Sequence, residues 1–339
     1  MAKKVLEQSP KALGTVQIII GVVVFMFSIV LNTIADSVIH IKSVSSSVMY
    51  WGPLSFIISG VLSIISLGNQ NPSVVKTSLA MNVISFVTAI VAACMFNIDG
   101  KKSPDSICSS TYCKRDLAIV YCQFFWKHVI GNSGVLRGFS ILQVFASIAT
   151  IVLTWINRRS TGTASQVTRS TGSQHLSVKM PLPSLKTDPK SLGIVQIMNG
   201  AVILLFGVVL RNSDPLSVRS GAVYWGSLCF LSAGSLSVAV MDHRTSLVMK
   251  SSLVMNLLSA VAAVLTVIMF CVDLVHLSVD LQPCYDVNNK DCLLIIMLVI
   301  IRNVFRILLL FSVLEVCMAI WTFVLVWKSR NTPEAMATP

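Results

Sequence analysis

Long uncharged apolar runs alternate with short polar segments along the whole chain. An α-helix needs about 20 apolar residues to cross roughly 30 Å of hydrocarbon, and eight runs approach or exceed that length. The second run of each half is close to the lower limit. The pattern predicts eight membrane spans, at residues 12–32, 51–67, 77–97, 134–156, 191–210, 225–241, 251–272 and 307–327.

Two shorter apolar segments, at 117–125 and 293–301, precede the last predicted span of each half. Arg137 separates the first segment from its span, and Arg302 and Arg306 separate the second. Each segment is too short to cross a bilayer. We therefore expect both to be partly buried parts of the outer loops.

The second half of the chain repeats the first. Lys11 begins the block KALGTVQIIIGVVVFMFSIVL, and Lys190 begins its counterpart KSLGIVQIMNGAVILLFGVVL; Tyr50 and Tyr224 begin a second matched pair. Two further pairs match in the third and fourth spans, in the same order and at similar intervals. Four spans per unit is an even number, so both units must have the same orientation. The predicted fold is all-α and transmembrane, with two tandem four-helix units related by a parallel internal duplication.

The stretch 157–189 between the units is rich in Ser and Thr, with few large apolar residues and several prolines. This composition is typical of a flexible linker. The predicted organisation is a first unit at 1–156, a linker at 157–189, a second unit at 190–330 and a tail at 331–339.

Composition agrees with a membrane protein, because 12% of the residues are charged and the mean hydropathy is +0.79, whereas soluble domains have about 25% charged residues. The net charge of +12 does not indicate nucleic-acid binding, since the charges lie in loops and at span ends. Slightly more than half of the 26 lysines and arginines lie on the side that holds both termini and the linker. We therefore expect these segments to be cytoplasmic, with the basic linker touching anionic membrane lipid as a weaker possibility.

Under that topology, the loops before the last span of each unit face an oxidising compartment. We expect the disulfides Cys108–Cys113 and Cys284–Cys292 there, with Cys122 as a competing partner in the first unit. A metal site is the weaker interpretation, because no histidine or acidic cluster completes a tetrahedral ligand set. No cofactor is expected.

Small residues recur at four-residue intervals in the second span of each unit. Such a stripe lets helix backbones approach closely, which is how membrane helices gain packing energy. The predicted helix-packing residues are Ser55, Ser59, Gly60 and Ser63 in the first unit, and Cys229, Ala233, Gly234 and Ser237 in the second.

Polar side chains inside the spans also recur at matched positions. We expect them to form interhelical hydrogen bonds; an ion pathway is the alternative. Glu315, the one acid deep within a predicted span, has the neutral counterpart Gln143, so we expect it to be largely protonated or hydrogen-bonded. The intramembrane polar residues are Gln17, Asn82 and Gln143 in the first unit, and Gln196, Asn256 and Glu315 in the second.

Several of these motifs are shared with a known family. They are LG-x-VQI at the first span of each unit, YWG-x-L-x-F at the second, K-x-SL-x-MN at the third and LE-x-C at the last. Together they resemble the membrane-spanning four-domain subfamily A, which includes the B-lymphocyte antigen and the IgE receptor beta chain. The resemblance implies cell-surface proteins with cytoplasmic termini that oligomerise and act as partners of immune or chemosensory receptors. Members usually have one unit, and this chain has two.

The expected function is that of a non-enzymatic, multi-pass plasma-membrane protein. It would associate through its helices with itself or with cell-surface receptors and modulate their signalling or trafficking. The alternative is a cation channel or transporter subunit, although we see few polar residues per span. HExxH, GxSxG and phosphate-loop motifs are absent from the sequence, so neither an enzyme nor a small-molecule substrate is expected.

Overall fold

The computed structural model describes the backbone in eight stretches, and every element in them is helical. The backbone ranges are 2–35, 47–68, 72–100, 116–168, 189–211, 215–242, 245–277 and 290–330. Side chains are described over shorter ranges, 11–30, 47–66, 72–98, 126–156, 190–211, 215–240, 245–277 and 298–328.

Nine helices lie in these ranges, and eight of them are long and apolar enough to cross a membrane. This confirms the predicted number of spans and the tandem arrangement. The first unit contains α1 (Ala2–Ala35), α2 (Val48–Gly68), α3 (Pro72–Gly100) and α4 (Asp116–Thr168). The second contains α5 (Pro189–Leu210), the short α6 (Leu216–Arg219), α7 (Ala222–Asp242), α8 (Ser246–His276) and α9 (Lys290–Arg330).

The expectation that 117–125 and 293–301 are loop segments is wrong. Both lie inside continuous helices, α4 and α9, that also contain the last span of each unit. The interpretation failed because it treated arginine as a boundary, whereas arginine has high helix propensity and a long side chain that leaves the backbone ladder intact. Arg137, for example, projects from the surface of α4 and donates to Asn97 Oδ1 at 2.8 Å.

The first part of the predicted linker is helical. Helix α4 continues to Thr168, so residues 157–168 are helical rather than flexible. Ser and Thr have only moderately lower helix propensity than alanine, and a helix that is already formed extends at little cost. Pro189 likewise begins α5. Residues 169–188 lie outside the described residues, and the linker stays a prediction there.

Within each unit the four long helices form a ring. In the first unit α1 packs on α2, α2 on α3, α3 on α4, and α4 returns to α1. In the second unit α5, α7, α8 and α9 repeat the same order. Each ring encloses a line of buried side chains, so residues from all four helices can meet at its centre.

The two units pack against each other through their first and last long helices. Helix α1 contacts its equivalent α5, and α4 contacts its equivalent α9. The α1–α9 contact is matched by the α4–α5 contact. Phe27 and Phe206 occupy the same position in the repeat, and their rings stack with 3.5 Å between centroids and 3° between planes. An equivalent residue meeting itself is what an approximate two-fold axis between like units produces.

The outward faces of the helices are apolar and exposed. Phe145 on α4 is 64% exposed and Leu228 on α7 is 58% exposed. A surface of this kind is unfavourable in water and matches the hydrocarbon of a bilayer. The polar side chains within the spans point the other way and are buried at the centre of each ring.

Candidate helix-association site

Buried amides link three helices of the first unit. Gln17 on α1 donates from Nε2 to Asn82 Oδ1 on α3, at 2.9 Å. Asn82 in turn donates from Nδ2 to Ser63 Oγ on α2, also at 2.9 Å. Because an amide carries both donors and acceptors, a single asparagine at the centre can bond to two neighbouring helices at once.

Helix α4 joins this network through Gln143. Its Nε2 donates to Ser85 Oγ on α3 at 2.8 Å. Gln17 Nε2 also lies 3.4 Å from Ser147 Oγ on α4. All four helices of the unit therefore share one buried polar network, and Ser85 and Ser147 are members that sequence analysis missed. Serine is common in membrane helices, so neither stood out before its neighbours were known.

The second unit repeats the central part of this network. Gln196 Nε2 on α5 donates to Asn256 Oδ1 on α8 at 3.0 Å. Asn256 Nδ2 donates to Ser237 Oγ on α7 at 2.9 Å. A glutamine, an asparagine and a serine at matched positions of the repeat therefore form the same two interhelical hydrogen bonds in both units.

The fourth helix of the second unit joins differently. Glu315 on α9 accepts hydrogen bonds from Asn199 Nδ2 on α5, at 2.8 Å, and from Ser259 Oγ on α8, at 3.0 Å. Its carboxyl group is completely buried. Sequence analysis missed Asn199, although the aligned repeat places it opposite the apolar Ile20, and this mismatch was the available signal.

Reciprocal glycine contacts bring the first two helices of each unit together. A Cβ placed on Gly60 would lie 2.5 Å from the carbonyl oxygen of Gly14, and one on Gly14 would lie 2.8 Å from that of Gly60. Gly234 and Gly193 repeat the arrangement at 2.5 and 2.6 Å. Only glycine permits this separation of the α1–α2 and α5–α7 backbones, and it allows close Cα–H···O contacts.

The predicted small-residue stripe on α2 faces inward. Ser55, Ser59 and Ser63 are at most 8% exposed, and Ser55 Oγ lies 2.8 Å from Thr88 Oγ1 on α3. On α7, Ala233 and Ser237 are fully buried. The third member there, Cys229, is half-buried against the apolar core.

The predicted disulfides Cys108–Cys113 and Cys284–Cys292 lie outside the described residues, because the structure describes none of these four side chains. They stay predictions. Within the described ranges, no group of three or more His, Cys, Asp or Glu residues could hold a metal ion. Four cysteines have described side chains, and these are free thiols: Cys94, Cys229, Cys271 and Cys317.

One family model matches the chain twice. The CD20-like family matches residues 12–155 and 191–327, once per unit and over most of the chain. The chain belongs to the CD20-like family. Each match covers one complete ring of long helices, so the family unit and the structural unit coincide.

Curated relatives agree with this assignment. Membrane-spanning 4-domains subfamily A member 15 from Mus musculus is 45% identical over 84 residues, covering 23% of this chain and 34% of the relative. Its Homo sapiens counterpart is 34% identical over 136 residues, covering 39% and 49%. The high affinity immunoglobulin epsilon receptor subunit beta from Rattus norvegicus is 30% identical over 116 residues, covering 32% and 48%.

The matched stretches therefore span about half or less of these relatives. No solved structure matches the chain. Family membership and the eight apolar helices together make this CD20-like protein a multi-pass membrane protein.

Proposed function

We propose that this protein is a non-enzymatic, multi-pass plasma-membrane protein with cytoplasmic termini that associates through its helices with cell-surface receptors. By that association it modulates their signalling or trafficking. Further copies of the chain are the other partner class. Membrane lipid surrounds the exposed apolar faces.

One observation carries the proposal: the two units already bind each other as complete helix bundles. The contact involves α1, α4, α5 and α9, with the Phe27–Phe206 stack as a direct pairing of equivalent residues. The four-span unit therefore has helix surfaces that recognise another membrane bundle. The name of the rat relative, a receptor subunit, supports a receptor as the kind of partner.

The buried networks suit such a role because they make each unit rigid. Hydrogen bonds between membrane helices contribute about 0.6–2 kcal/mol each, and each network ties several helices together. A rigid bundle presents the same outer face to a partner at all times, which lowers the entropy lost on association.

Proximity labelling in intact cells tests the proposal. A biotin ligase fused to the C-terminus of the full chain should enrich receptor chains over the same ligase on an unrelated eight-span protein at equal abundance. The enriched receptor should co-purify in mild detergent, and its surface abundance should change when this chain is removed. Labelling indistinguishable from the control would overturn the proposal.

Bilayer recording separates association from conduction. We expect no steady unitary conductance from the purified full chain. Conductance that disappears in Glu315→Gln would replace this proposal with a channel. Epitope tags at both termini and within 169–188 should all require permeabilisation for detection, and tags reporting from opposite faces would contradict the topology.

A further inference from the structure

Glu315 places a carboxyl group at the centre of the second unit with only neutral neighbours. It lies on α9, is fully buried, and interacts with the side chains of Asn199, Ser259 and Gln196. Among the described residues of the helices packed against α9, no lysine, arginine or histidine interacts with it. The other buried titratable groups on those helices, His128 on α4 and Asp273 on α8, do not interact with it either.

A carboxylate in this position needs a positive charge. Charges buried without a partner are strongly unfavourable in protein interiors and more so at membrane depth, where they pair or become neutral. The hydrogen bonds from Asn199 and Ser259 reduce this cost but supply no net charge. Because the carboxylate has one negative charge, the matching ligand carries one positive charge.

Two further oxygen atoms belong to the same group of side chains. Gln196 Oε1 and Asn199 Oδ1 are buried and accept no hydrogen bond, and both residues are at most 1% exposed. Gln17 Oε1 and Gln143 Oε1 of the first unit also lack a hydrogen-bond partner, so such oxygens mark a site only where a carboxyl group lies beside them. Carboxylate and amide oxygens are also the ligands that hard cations prefer.

The first unit lacks both distinguishing features. Gln143 takes the place of Glu315 and donates to Ser85 at 2.8 Å, and the apolar Ile20 takes the place of Asn199. The carboxyl group and the extra asparagine therefore occur together in one unit and are replaced together in the other. Helix packing alone explains neither difference, because the first unit packs in the same ring without them.

We propose that Glu315, Asn199, Ser259 and Gln196 form a buried site in the second unit that binds one monovalent positive charge, either a proton or an alkali-metal cation. The site goes beyond the proposed association function and does not depend on it. It is a binding site in one bundle, and conduction through the bundle is not part of the proposal.

Thermal unfolding of the purified full chain tests the site. The melting midpoint is measured by tryptophan fluorescence in NaCl, KCl or N-methylglucamine chloride at equal ionic strength and pH 8, then across pH 5–8 in N-methylglucamine alone. An alkali-metal ligand raises the midpoint in the salt series, and a proton raises it in the acid series. The near-isosteric Glu315→Gln should remove whichever response the native chain shows.

Two variants separate binding from stability. Asn199→Ile introduces the residue of the first unit, and the two ligands respond to it in opposite directions. It removes an amide oxygen, so an alkali-metal response should move to a roughly tenfold higher salt concentration. It also removes a hydrogen bond that stabilises the carboxylate, so a proton response should move to a lower proton concentration. Gln143→Ala weakens the polar network of the first unit but keeps Glu315, so its midpoint should fall while its ligand response persists. Other titrating groups are cancelled by subtracting the Glu315→Gln response.

Infrared difference spectra distinguish the two ligands directly. A carboxyl C=O band that is absent in Glu315→Gln indicates a bound proton, whereas a carboxylate band that shifts with NaCl or KCl and is lost in Glu315→Gln indicates a cation. Equal responses of the native chain and Glu315→Gln, or no response to either ligand, would overturn the proposal. That result would leave receptor association untouched, because no partner is present in the experiment.

Discussion

Single polar residues determine how the helices of each unit pair. Asn82 bonds to α1 through its oxygen and to α2 through its nitrogen, and Asn256 does the same in the second unit. The chemistry of the side chain was visible in the sequence. Its partners were not, since Ser63 and Ser237 resemble many other serines in apolar helices.

Replacing one central asparagine should destabilise its own unit. Asn82→Ala removes two interhelical hydrogen bonds and leaves Gln17 Nε2 with only the longer contact to Ser147 Oγ. We therefore expect a loss of about 1–3 kcal/mol in unfolding free energy. Titration into SDS monitored by tryptophan fluorescence measures this. Ser232→Ala is the matched control, because its exposed hydroxyl bonds only within α7, and an equal loss in both variants would contradict the network.

One residue just before the second long helix has a positive φ in each unit, and the energetic cost of that conformation differs between the two. Ser47 has φ 54° and Gly221 has φ 74°, a conformation that glycine adopts more readily than other residues. Ser47→Gly should therefore raise stability slightly, and Gly221→Ala should lower it by about 1 kcal/mol. Opposite signs in melting experiments are the expected result, and a shared sign would refute the backbone explanation.

At the scale of helices, the glycine contacts decide which pairs approach most closely. Gly60 was predicted to help packing, but its partner Gly14 became evident only when the α1–α2 crossing was seen. The reason is geometric: a close approach needs two small residues at the same height on different helices, and height depends on tilt and register.

Substitution of that glycine should separate α1 from α2. In Gly60→Ala the new methyl group would meet a backbone carbonyl, which cannot rotate away, so we expect a loss of about 1–3 kcal/mol. Gly138→Ala is the control, because nothing lies within 4 Å of its Cβ position. Equal stability of the two variants in the same SDS titration would show that the helices can shift apart without cost.

The start of the short helix α6 is held by a residue that sequence analysis passed over. Asp273, one residue beyond the predicted third span of the second unit, is buried and accepts from the backbone nitrogens of Leu216 at 2.8 Å and Ser217 at 3.0 Å. A carboxylate satisfies these amides at the start of α6, as acidic residues do at helix N-termini. Its distant position in the sequence concealed the contact.

At the scale of the whole molecule, the two units form an approximate symmetric dimer within one chain. The repeat predicted two similar bundles in the same orientation, but it could not predict which faces meet. Residues that face lipid and residues that face another bundle are equally apolar, so their composition does not distinguish them.

Cross-linking tests this arrangement. We expect a cross-link within one chain when Phe27→Cys and Phe206→Cys are combined. A protease site placed within 169–188 provides the readout, because the two halves should stay covalently joined after cleavage. Phe145→Cys with the native Cys317 is the matched control, since these equivalent positions are both exposed. The internal pairing would be contradicted if the Phe27→Cys and Phe206→Cys variant formed cross-links between two chains, or if its halves separated after cleavage.

The sequence by itself determined the eight apolar helices, their grouping into two units and the polar residues that each unit buries. These follow from length, hydropathy and repetition, which are properties of the chain read in order. Only the tertiary structure decided the continuous α4 and α9, the glycine partners, the pairing of Asn199 with Glu315 and the faces between units. Each of these depends on helix tilt and rotation, which arise from side chains far apart in the sequence packing together.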